Sequence, residues 1–197
     1  MSSFIPAEPR SNTQIEAMTL SIIQRYQPGV LYNGEPFEIE RFFDCELENM
    51  TGVSIDYQPL EYGIYGYTDS DRMECVMSLD LAYATAPHEK YFYRSTMAHE
   101  IGHAILHVKD YRRKRAILRS LHKKGHELRL HREEKDIPLY RNPEWQAFRF
   151  GGALLMPEQA FREAVREGLG EKGLSQRFGV NPAFIRTRMK ALKINIF

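Results

Sequence analysis

The strongest constraint on this chain is the stretch MAHEIGHAILH, residues 97–107, in which two histidines stand four positions apart. Residues at this spacing lie on one face of an α-helix, so His99 and His103 can direct two imidazoles at one ion. Glu100 lies roughly 100° around the helix from His99, close enough to reach a water on that ion. The spacing predicts a metal-binding helix with a general base. An amphipathic helix with a surface histidine pair is the alternative.

A second histidine pair with the same spacing provides an internal comparison. Residues 122–126 read HKKGH, with Lys123 where the first motif has its glutamate. A charged lysine cannot accept a proton from water, so this pair lacks the general base that hydrolysis requires. We therefore interpret His122 and His126 as surface residues.

A catalytic zinc takes three protein ligands and keeps one position for water, so one ligand must come from outside the motif. His107 lies one turn beyond His103, too far along the helix to share the ion comfortably. It is expected to hydrogen-bond the backbone or the groups that surround the ligands. The longer HExxHxxGxxH motif of another zinc protease class is excluded, because Leu106 and Lys109 occupy its last two defined positions.

The best candidate for the third ligand is Glu144, at the start of a second helix. Asn142 is a favoured N-cap and Pro143 suits the first helical position, so NPEWQAFRFGGALLM is predicted to be helical. Small residues along the face of Glu144 would let this helix approach the histidine helix, where Gly102 offers the matching gap. These small residues are Ala147, Gly151 and Gly152. Two histidines from one helix and a glutamate from another form a gluzincin arrangement.

Helical periodicity in IEAMTLSIIQRYQPG and EPFEIERFFDCELENMTG predicts two helices ahead of the histidine helix. The histidine helix itself is expected to begin at Ser95 or Thr96 and to run to about Val108. A further helix is expected over PEQAFREAVREG, and two short helices with a turn at GVNP end the chain. With the histidine motif, this order of helices leads us to expect a zinc metallopeptidase domain over residues 1–168 and a C-terminal, helix-turn-helix-like helical segment over 169–197, packed on it.

Three shorter pieces are typical of β-strands: VSIDYQPL, YGIYGYT and MECVMSLDL, with TDSDR as the turn of a β-hairpin. The sheet edge near residues 74–79 is expected to hold a substrate as an added strand. Four tyrosines in this region serve either to pack the sheet or to form the rim of a substrate groove: Tyr57, Tyr62, Tyr65 and Tyr67. Together with the helices, these strands predict an α+β fold, a mostly helical zincin of the gluzincin type with a small sheet.

The bulk properties of the chain narrow its function classes. Its 197 residues are the length of one domain, and a formal net charge of +1 excludes a molecule that binds nucleic acid by overall charge. Cys45 and Cys75 form neither a disulfide framework nor a CxxC site, which favours a reducing compartment. No apolar run approaches the roughly 20 residues that cross a bilayer, and no signal peptide is visible. A cytoplasmic protein without a membrane partner is expected.

One segment departs from this neutral charge. Residues 109–135 contain 11 Lys or Arg against 4 Asp or Glu. A solvated, partly mobile insert is one interpretation, and a docking surface for an acidic partner or a nucleic acid is the other. Nucleic acid is possible as a partner but is not favoured.

Two segments resemble the ImmA/IrrE family of metallopeptidases: RSTMAHEIGHAILH, residues 94–107, and EWQAFRFGGALLMP, residues 144–157. The hairpin segment YGIYGYTDSDRMECVMSLDL and the ending LSQRFGVNPAFIRTRMKAL are also similar to the corresponding parts of the family. The resemblance implies a zinc metalloendopeptidase with Glu100 as the catalytic base. It also implies one zinc ion per chain, held by His99, His103 and Glu144.

The chain departs from the family pattern near the implied site. Gln146 replaces a second glutamate, which leaves Glu144 as the only carboxylate there. Phe148 stands where the family often has asparagine, a position that can support the metal ligands, and Ser95 replaces a usual phenylalanine. The basic connection at 109–135 is longer than usual. None of these changes removes an implied ligand.

The resemblance also implies a regulatory role, since relatives cleave helix-turn-helix repressors of the Xre or phage type. The first hypothesis is therefore a cytosolic zinc endopeptidase with such a repressor as its protein substrate, selected in part by the charge of the basic segment. The alternative is a protein- or DNA-binding regulatory module, toxin-like or stress-responsive, that keeps the zincin fold with little proteolysis. The intact set of His99, Glu100, His103 and Glu144 favours the enzyme.

Overall fold

A computed structural model describes residues 6–32, 34–122 and 137–194 of the chain. Within these ranges the protein is mostly helical with a small three-stranded sheet, which confirms the predicted α+β class. The helices are α1 (Asn12–Tyr26), α2 (Ile39–Phe42), α3 (Glu48–Thr51), α4 (Leu79–Ala82), α5 (Pro87–Leu106), α6 (Val108–His122), α7 (Pro143–Leu155), α8 (Glu158–Arg166), α9 (Glu171–Phe178) and α10 (Pro182–Leu192). The strands are β1 (Ser54–Gln58), β2 (Gly66–Asp69) and β3 (Glu74–Ser78).

The histidine helix α5 starts earlier than predicted. Pro87 occupies its first turn, where the missing N–H costs no hydrogen bond. Ser95 and Thr96, the predicted caps, lie inside the helix, and each donates its hydroxyl hydrogen to the carbonyl four residues before it. The prediction was wrong because a serine or threonine can either cap a helix or bond back to its own helix. The predicted end near Val108 is close to the observed end at Leu106.

Helices α5 and α7 pack more extensively than any other pair of elements in the described ranges. A Cβ atom added to Gly102 would lie 3.1 Å from the backbone of Ala147, and one added to Gly151 would lie 3.1 Å from the backbone of Ala98. Neither position has room for a larger side chain, so the predicted close approach of the two helices is confirmed. Gly152 is an exception to the prediction, because it faces Arg188 of α10 instead of α5.

The predicted hairpin is formed by β2 and β3, which pair antiparallel, while β1 pairs parallel with the other side of β3. Asp69 stabilises the turn, since its carboxylate accepts hydrogen bonds from the backbone N–H groups of Asp71 and Arg72. Because β3 is the central strand, the expected substrate edge near residues 74–79 was wrong. Its backbone is already paired on both sides, and among the described strands β1 and β2 form the edges.

The C-terminal helices α9 and α10 share the core of the protein. Phe178 and Ile185 are fully buried in it. Arg188 is 2 % exposed, donates to the Met156 carbonyl at 2.8 Å, and forms a two-pronged ion pair with Glu16 of α1. A buried guanidinium needs such partners, because a charge without them is costly to remove from water. Helix α10 is therefore fixed against both α1 and the end of α7, although the division of the chain after residue 168 stays a prediction.

Helix α6 covers the first half of the basic segment, while residues 123–136 lie outside the described ranges. The side chain of His122 and all of His126 are also outside them, so their interpretation stays a prediction. Several cations of α6 bind carboxylates of the protein itself: Lys114 contacts Glu8 at 3.2 Å, and Arg115 contacts Asp71. No helix in the described part of the chain is long and apolar enough to cross a membrane.

Candidate metal centre

The three predicted metal ligands meet at one point between α5 and α7. The Nε2 atoms of His99 and His103 are 3.0 Å apart. Glu144 reaches across from the first turn of α7, with its two carboxylate oxygens 3.2 Å from His99 Nε2 and 3.4 Å from His103 Nε2. Asn142 caps α7 by accepting the Trp145 N–H, as predicted, and this cap places Glu144 opposite the two histidines.

These distances test whether the residues fit a metal ion. Ligand atoms arranged as a tetrahedron roughly 2.0–2.1 Å from a zinc ion stand about 3.3 Å from one another. The two Nε2 atoms are 3.0 Å apart, and each lies 3.2 or 3.4 Å from a different oxygen of Glu144, so these separations lie near that value. The side chains of His99 and His103 are largely buried and that of Glu144 is about half exposed, which leaves the centre accessible from one side. The cluster fits a small divalent ion.

The electrostatics of the cluster also suit a cation. Hydrogen bonds from His103 and then from His99 hold the pKa of Glu144 well below its usual range. The carboxylate is therefore ionised at neutral pH and supplies the one negative charge of the ligand set. Two neutral imidazoles and a carboxylate are a donor set that zinc commonly takes.

A buried chain of hydrogen bonds supports His103 from behind. Its Nδ1 atom lies 3.0 Å from Nδ1 of His107, and Nε2 of His107 lies 3.1 Å from Oε1 of Gln146. The amide nitrogen of Gln146 donates to the backbone carbonyls of Glu8 and Tyr140, at 2.7 Å each. These hydrogen bonds thus join the candidate ligand His103 to the N-terminal segment and to the loop before α7.

This series of hydrogen bonds determines which nitrogen of the His107 and His103 rings carries the hydrogen. Carbonyl groups only accept, so Gln146 must turn its nitrogen toward them and its oxygen toward His107. The Nε2 atom of His107 therefore carries the hydrogen. Burial lowers the pKa of His107 to about 3, so the ring is neutral and its Nδ1 can only accept. His103 then donates from Nδ1, and with an ion in the centre the lone pair of its Nε2 would be directed at that ion.

We expect the substitution Gln146→Leu to weaken zinc binding by roughly 10–100-fold, the range typical of residues that orient a metal ligand. Leucine has a similar volume but cannot fix the orientation of His107. The matched control is Gln27→Leu, because Gln27 also joins two chain segments through its amide but takes no part in this chain of contacts. Zinc affinity is measured against a chelator, and thermal unfolding is measured for both apo proteins. Together they separate a role of Gln146 in zinc binding from a role in the stability of the fold. Equal zinc affinity in the two variants would reduce Gln146 to a structural residue.

His99 has a different environment from His103. Its Nδ1 atom is buried and has no hydrogen-bond partner in the described part of the chain. The ring of Phe148 lies against it instead, with the two ring centroids 4.4 Å apart. An asparagine at position 148 would have offered a polar group there. His99 is therefore held by packing, whereas His103 is held by hydrogen bonds.

Glu100 is 7 % exposed and faces the hairpin. The hydroxyl of Thr68, on β2, lies 2.8 Å from Oε2 of Glu100 and donates to it. Strand β2 approaches so closely that a Cβ atom on Gly66 would lie 3.1 Å from Cγ of Glu100. The hairpin thus fixes the side chain of Glu100 against strand β2.

The three residues that meet at the centre and the supporting position of His107 were predicted from the sequence, whereas the contacts of Gln146, Thr68 and Gly66 were not. His107 was expected to bond the backbone or groups around the ligands, and the structure places it between His103 and Gln146. Its spacing of four from His103 was the visible signal. Thr68 and Gly66 carried no such signal, because their contact with Glu100 depends on how the hairpin meets α5.

Comparison with known proteins identifies the family of the chain that forms this centre. No match is found among the curated proteins. The family model described as the IrrE N-terminal-like domain, a peptidase family, matches residues 81–190. This region is more than half of the chain and runs from α4 to α10, so it includes both helices of the centre. The chain therefore belongs to the ImmA/IrrE family of metallopeptidase-like proteins.

Proposed function

We propose that the protein is a zinc-dependent endopeptidase of regulatory type that cleaves a cytosolic helix-turn-helix repressor of the Xre or phage type. The observation that carries the proposal is the convergence of His99, His103 and Glu144 around one point, with ligand atoms 3.0–3.4 Å apart. Glu100 on the same helix supplies the remaining group that peptide hydrolysis needs. The preference for a repressor rests on the family alone.

When bound, zinc supplies a Lewis acid that polarises a carbonyl and makes water acidic enough to lose a proton near neutral pH. Glu100 accepts that proton and passes it to the leaving amine. The Thr68 hydroxyl binds Oε2, and Oε1 has no hydrogen-bond partner among the described residues, so Oε1 is the atom that takes the proton. Thr68 also limits rotation of the carboxylate and keeps it in one orientation.

An extended substrate can pair with the edge of the sheet. Strand β2 pairs with β3 on one side, and within the described residues no strand pairs with its other side. It is also the strand that touches Glu100, through Thr68 and Gly66. A peptide that adds to this edge gains backbone hydrogen bonds that do not depend on its sequence. Selectivity must then come from pockets along the edge.

Helix α6 contains many Lys and Arg residues, but several of them are paired within the protein and therefore give little support to the DNA-binding alternative. Arg10 and Asp110 form an ion pair at 3.0 Å, and Glu8 contacts both Arg113 at 3.5 Å and Lys114 at 3.2 Å. These contacts attach α6 to the N-terminal segment. Cations that are paired within the protein are less available for phosphate groups, which favours the enzyme over the DNA-binding module.

Co-expression with a helix-turn-helix repressor of the Xre or phage type tests the proposed function. We expect the parent protein to cut the repressor and the Glu100→Gln variant to leave it intact. Unstructured casein is the comparison substrate, and zinc content is measured for both proteins.

Three results would contradict parts of this proposal. Rapid degradation of casein with an intact repressor would indicate a general protease. Equal cleavage by both proteins would mean that Glu100 is not the base or that another protease is present. If zinc is bound and neither substrate is cut, the binding module becomes the better description.

A further inference from the structure

An apolar cavity opens beside the metal centre on the side of His99. It has a volume of about 230 Å³ and lies between α5, α7 and α10. Phe92 and His99 line it from α5, Phe148 from α7 and Phe184 from α10. Because a candidate metal ligand forms part of the wall, a group that fills this cavity lies directly next to anything bound at the centre.

The hydroxyl groups that line this cavity form hydrogen bonds within their own helices. Ser95, Thr96 and Thr187 each donate a hydroxyl hydrogen to the carbonyl four residues before them, at 2.8, 3.0 and 3.0 Å. The side-chain oxygen of Asn181 accepts the N–H of Phe184 and so caps α10. No Asp, Glu, Lys or Arg is among the described residues that line the cavity. Its chemistry therefore suits an uncharged, apolar group.

The opposite side of the centre has a different character. A polar cleft beside His103 is lined by the charged side chains of Asp69, Asp71 and Arg115. A chain bound across the centre thus meets an apolar cavity on the side of His99 and charged groups on the side of His103. Because the two sides of the centre differ in chemistry, a bound chain is favoured in one of its two orientations.

We infer that the apolar cavity binds one aromatic or branched aliphatic side chain of the substrate, at a residue that flanks the scissile bond. The inference rests on the proposed peptidase function and adds the substrate class to it. Small-molecule and side-chain sites are concave, mostly apolar and largely preformed, and this cavity has those properties without any movement of the protein. The edge of β2 binds any extended backbone, so the cavity supplies the selectivity that this edge lacks.

The C-terminal helix takes part in this recognition. Ala183 and Thr187 are exposed, lie four residues apart on one face of α10, and line the cavity. The buried Arg188 anchors helix α10, and with it this wall, to the core. The C-terminal segment thereby sets part of the substrate specificity in addition to completing the core.

Two hydroxamates that differ only in their arm test the inference without requiring hydrolysis. Acetohydroxamic acid binds zinc and carries no arm, whereas 3-phenylpropanohydroxamic acid carries a phenyl group that can enter the neighbouring cavity. We expect the phenyl compound to bind the zinc-loaded protein roughly 10–100-fold more tightly, as for other groups seated in apolar pockets. An analogue with a charged arm, 4-aminobutanohydroxamic acid, is expected to show no such gain.

Two variants test whether the tighter binding of the phenyl compound depends on this cavity. Ala183→Trp fills it from an exposed position and should remove the advantage of the phenyl compound while leaving the affinity for acetohydroxamic acid unchanged. Lys190→Trp is the control, because Lys190 is exposed on the same helix and does not line the cavity. This control should keep the full advantage. Zinc content and thermal unfolding of both variants show that the metal centre and the fold are intact.

The outcomes separate this inference from the proposed function. If acetohydroxamic acid binds and the phenyl arm adds nothing, or adds the same in Ala183→Trp, the cavity is not the side-chain site, although the peptidase proposal stands. If neither compound binds zinc-loaded protein, the centre is not open to a substrate and both ideas fail. A phenyl advantage that disappears only in Ala183→Trp supports the assignment, whether or not the repressor proves to be the substrate.

Discussion

The Glu100→Gln variant is expected to retain one zinc ion per chain and to hydrolyse peptide bonds about 10²–10⁴-fold more slowly than the parent, the usual contribution of a general base. Glutamine has nearly the same shape, and its amide oxygen can still accept the hydrogen bond that Thr68 donates at 2.8 Å to Oε2. The fold and the metal centre should therefore be unchanged. Glutamine cannot take up a proton, so only the chemical step is lost.

The matched control is Glu89→Gln, the same substitution at an exposed position near the start of the same helix. It should have parental activity and parental zinc content. The rate of cleavage of a protein substrate and the elemental zinc content are measured for both variants in the same buffer. Activity of Glu100→Gln within tenfold of the parent would remove Glu100 from the role of base.

The part of the centre that could be predicted depends on local patterns. The spacing of His99 and His103 follows from helix geometry, and the start of α7 follows from Asn142 and Pro143, whose effects act within one turn. The small residues that let α5 and α7 meet were also visible, because each helix repeats its faces at a fixed interval. Gly152 was assigned to the wrong face, since one position along a helix turns a residue by roughly 100°.

The parts that could not be predicted depend on contacts between distant segments. The hairpin of β2 and β3 is local, but the pairing of β1 with β3 is not, so the sequence did not show which strand is central. Gln146 bonds the carbonyls of Glu8 and Tyr140, and no sequence pattern links a glutamine to a carbonyl 138 positions away. The supports of a metal ligand are therefore harder to predict than the ligand itself.

The start of α5 could not be predicted for a third reason: serine and threonine hydroxyl groups can either cap a helix or form hydrogen bonds within it. Ser95 and Thr96 bond carbonyls within the helix, which leaves their side chains on a wall of the apolar cavity and not at a helix end. The same hydroxyl groups would have been satisfied equally well as caps. The helix extends back to Pro87 because Tyr93 and Met97 on its inner face are buried in the core. Burial decides between the two uses, and burial is a property of the whole fold.

The Glu144→Ala variant is expected to lose zinc. Removal of a ligand should weaken zinc binding by more than the roughly 10–100-fold that follows from loss of a residue that only orients a ligand. The carboxylate is the only charged group of the ligand set, and its contacts with His103 and His99 hold its pKa well below the usual range. Without it, the two imidazoles lack the negative charge that offsets the ion.

Stability of the apo protein should fall only modestly, because the Glu144 side chain is 53 % exposed and solvent screens its contacts with His103 and His99. Its position in the first turn of α7 adds about 0.3–1 kcal/mol. Glu158→Ala is the control, since Glu158 occupies the first turn of α8 and takes no part in the centre. Zinc content after purification without a metal-affinity tag, and zinc affinity against a chelator, are measured for the parent and both variants. Zinc retention by Glu144→Ala equal to that of Glu158→Ala would mean that α7 does not supply the third ligand. That result would leave the support of His103 by His107 and Gln146 intact, because their hydrogen bonds lead to His103 and not to Glu144.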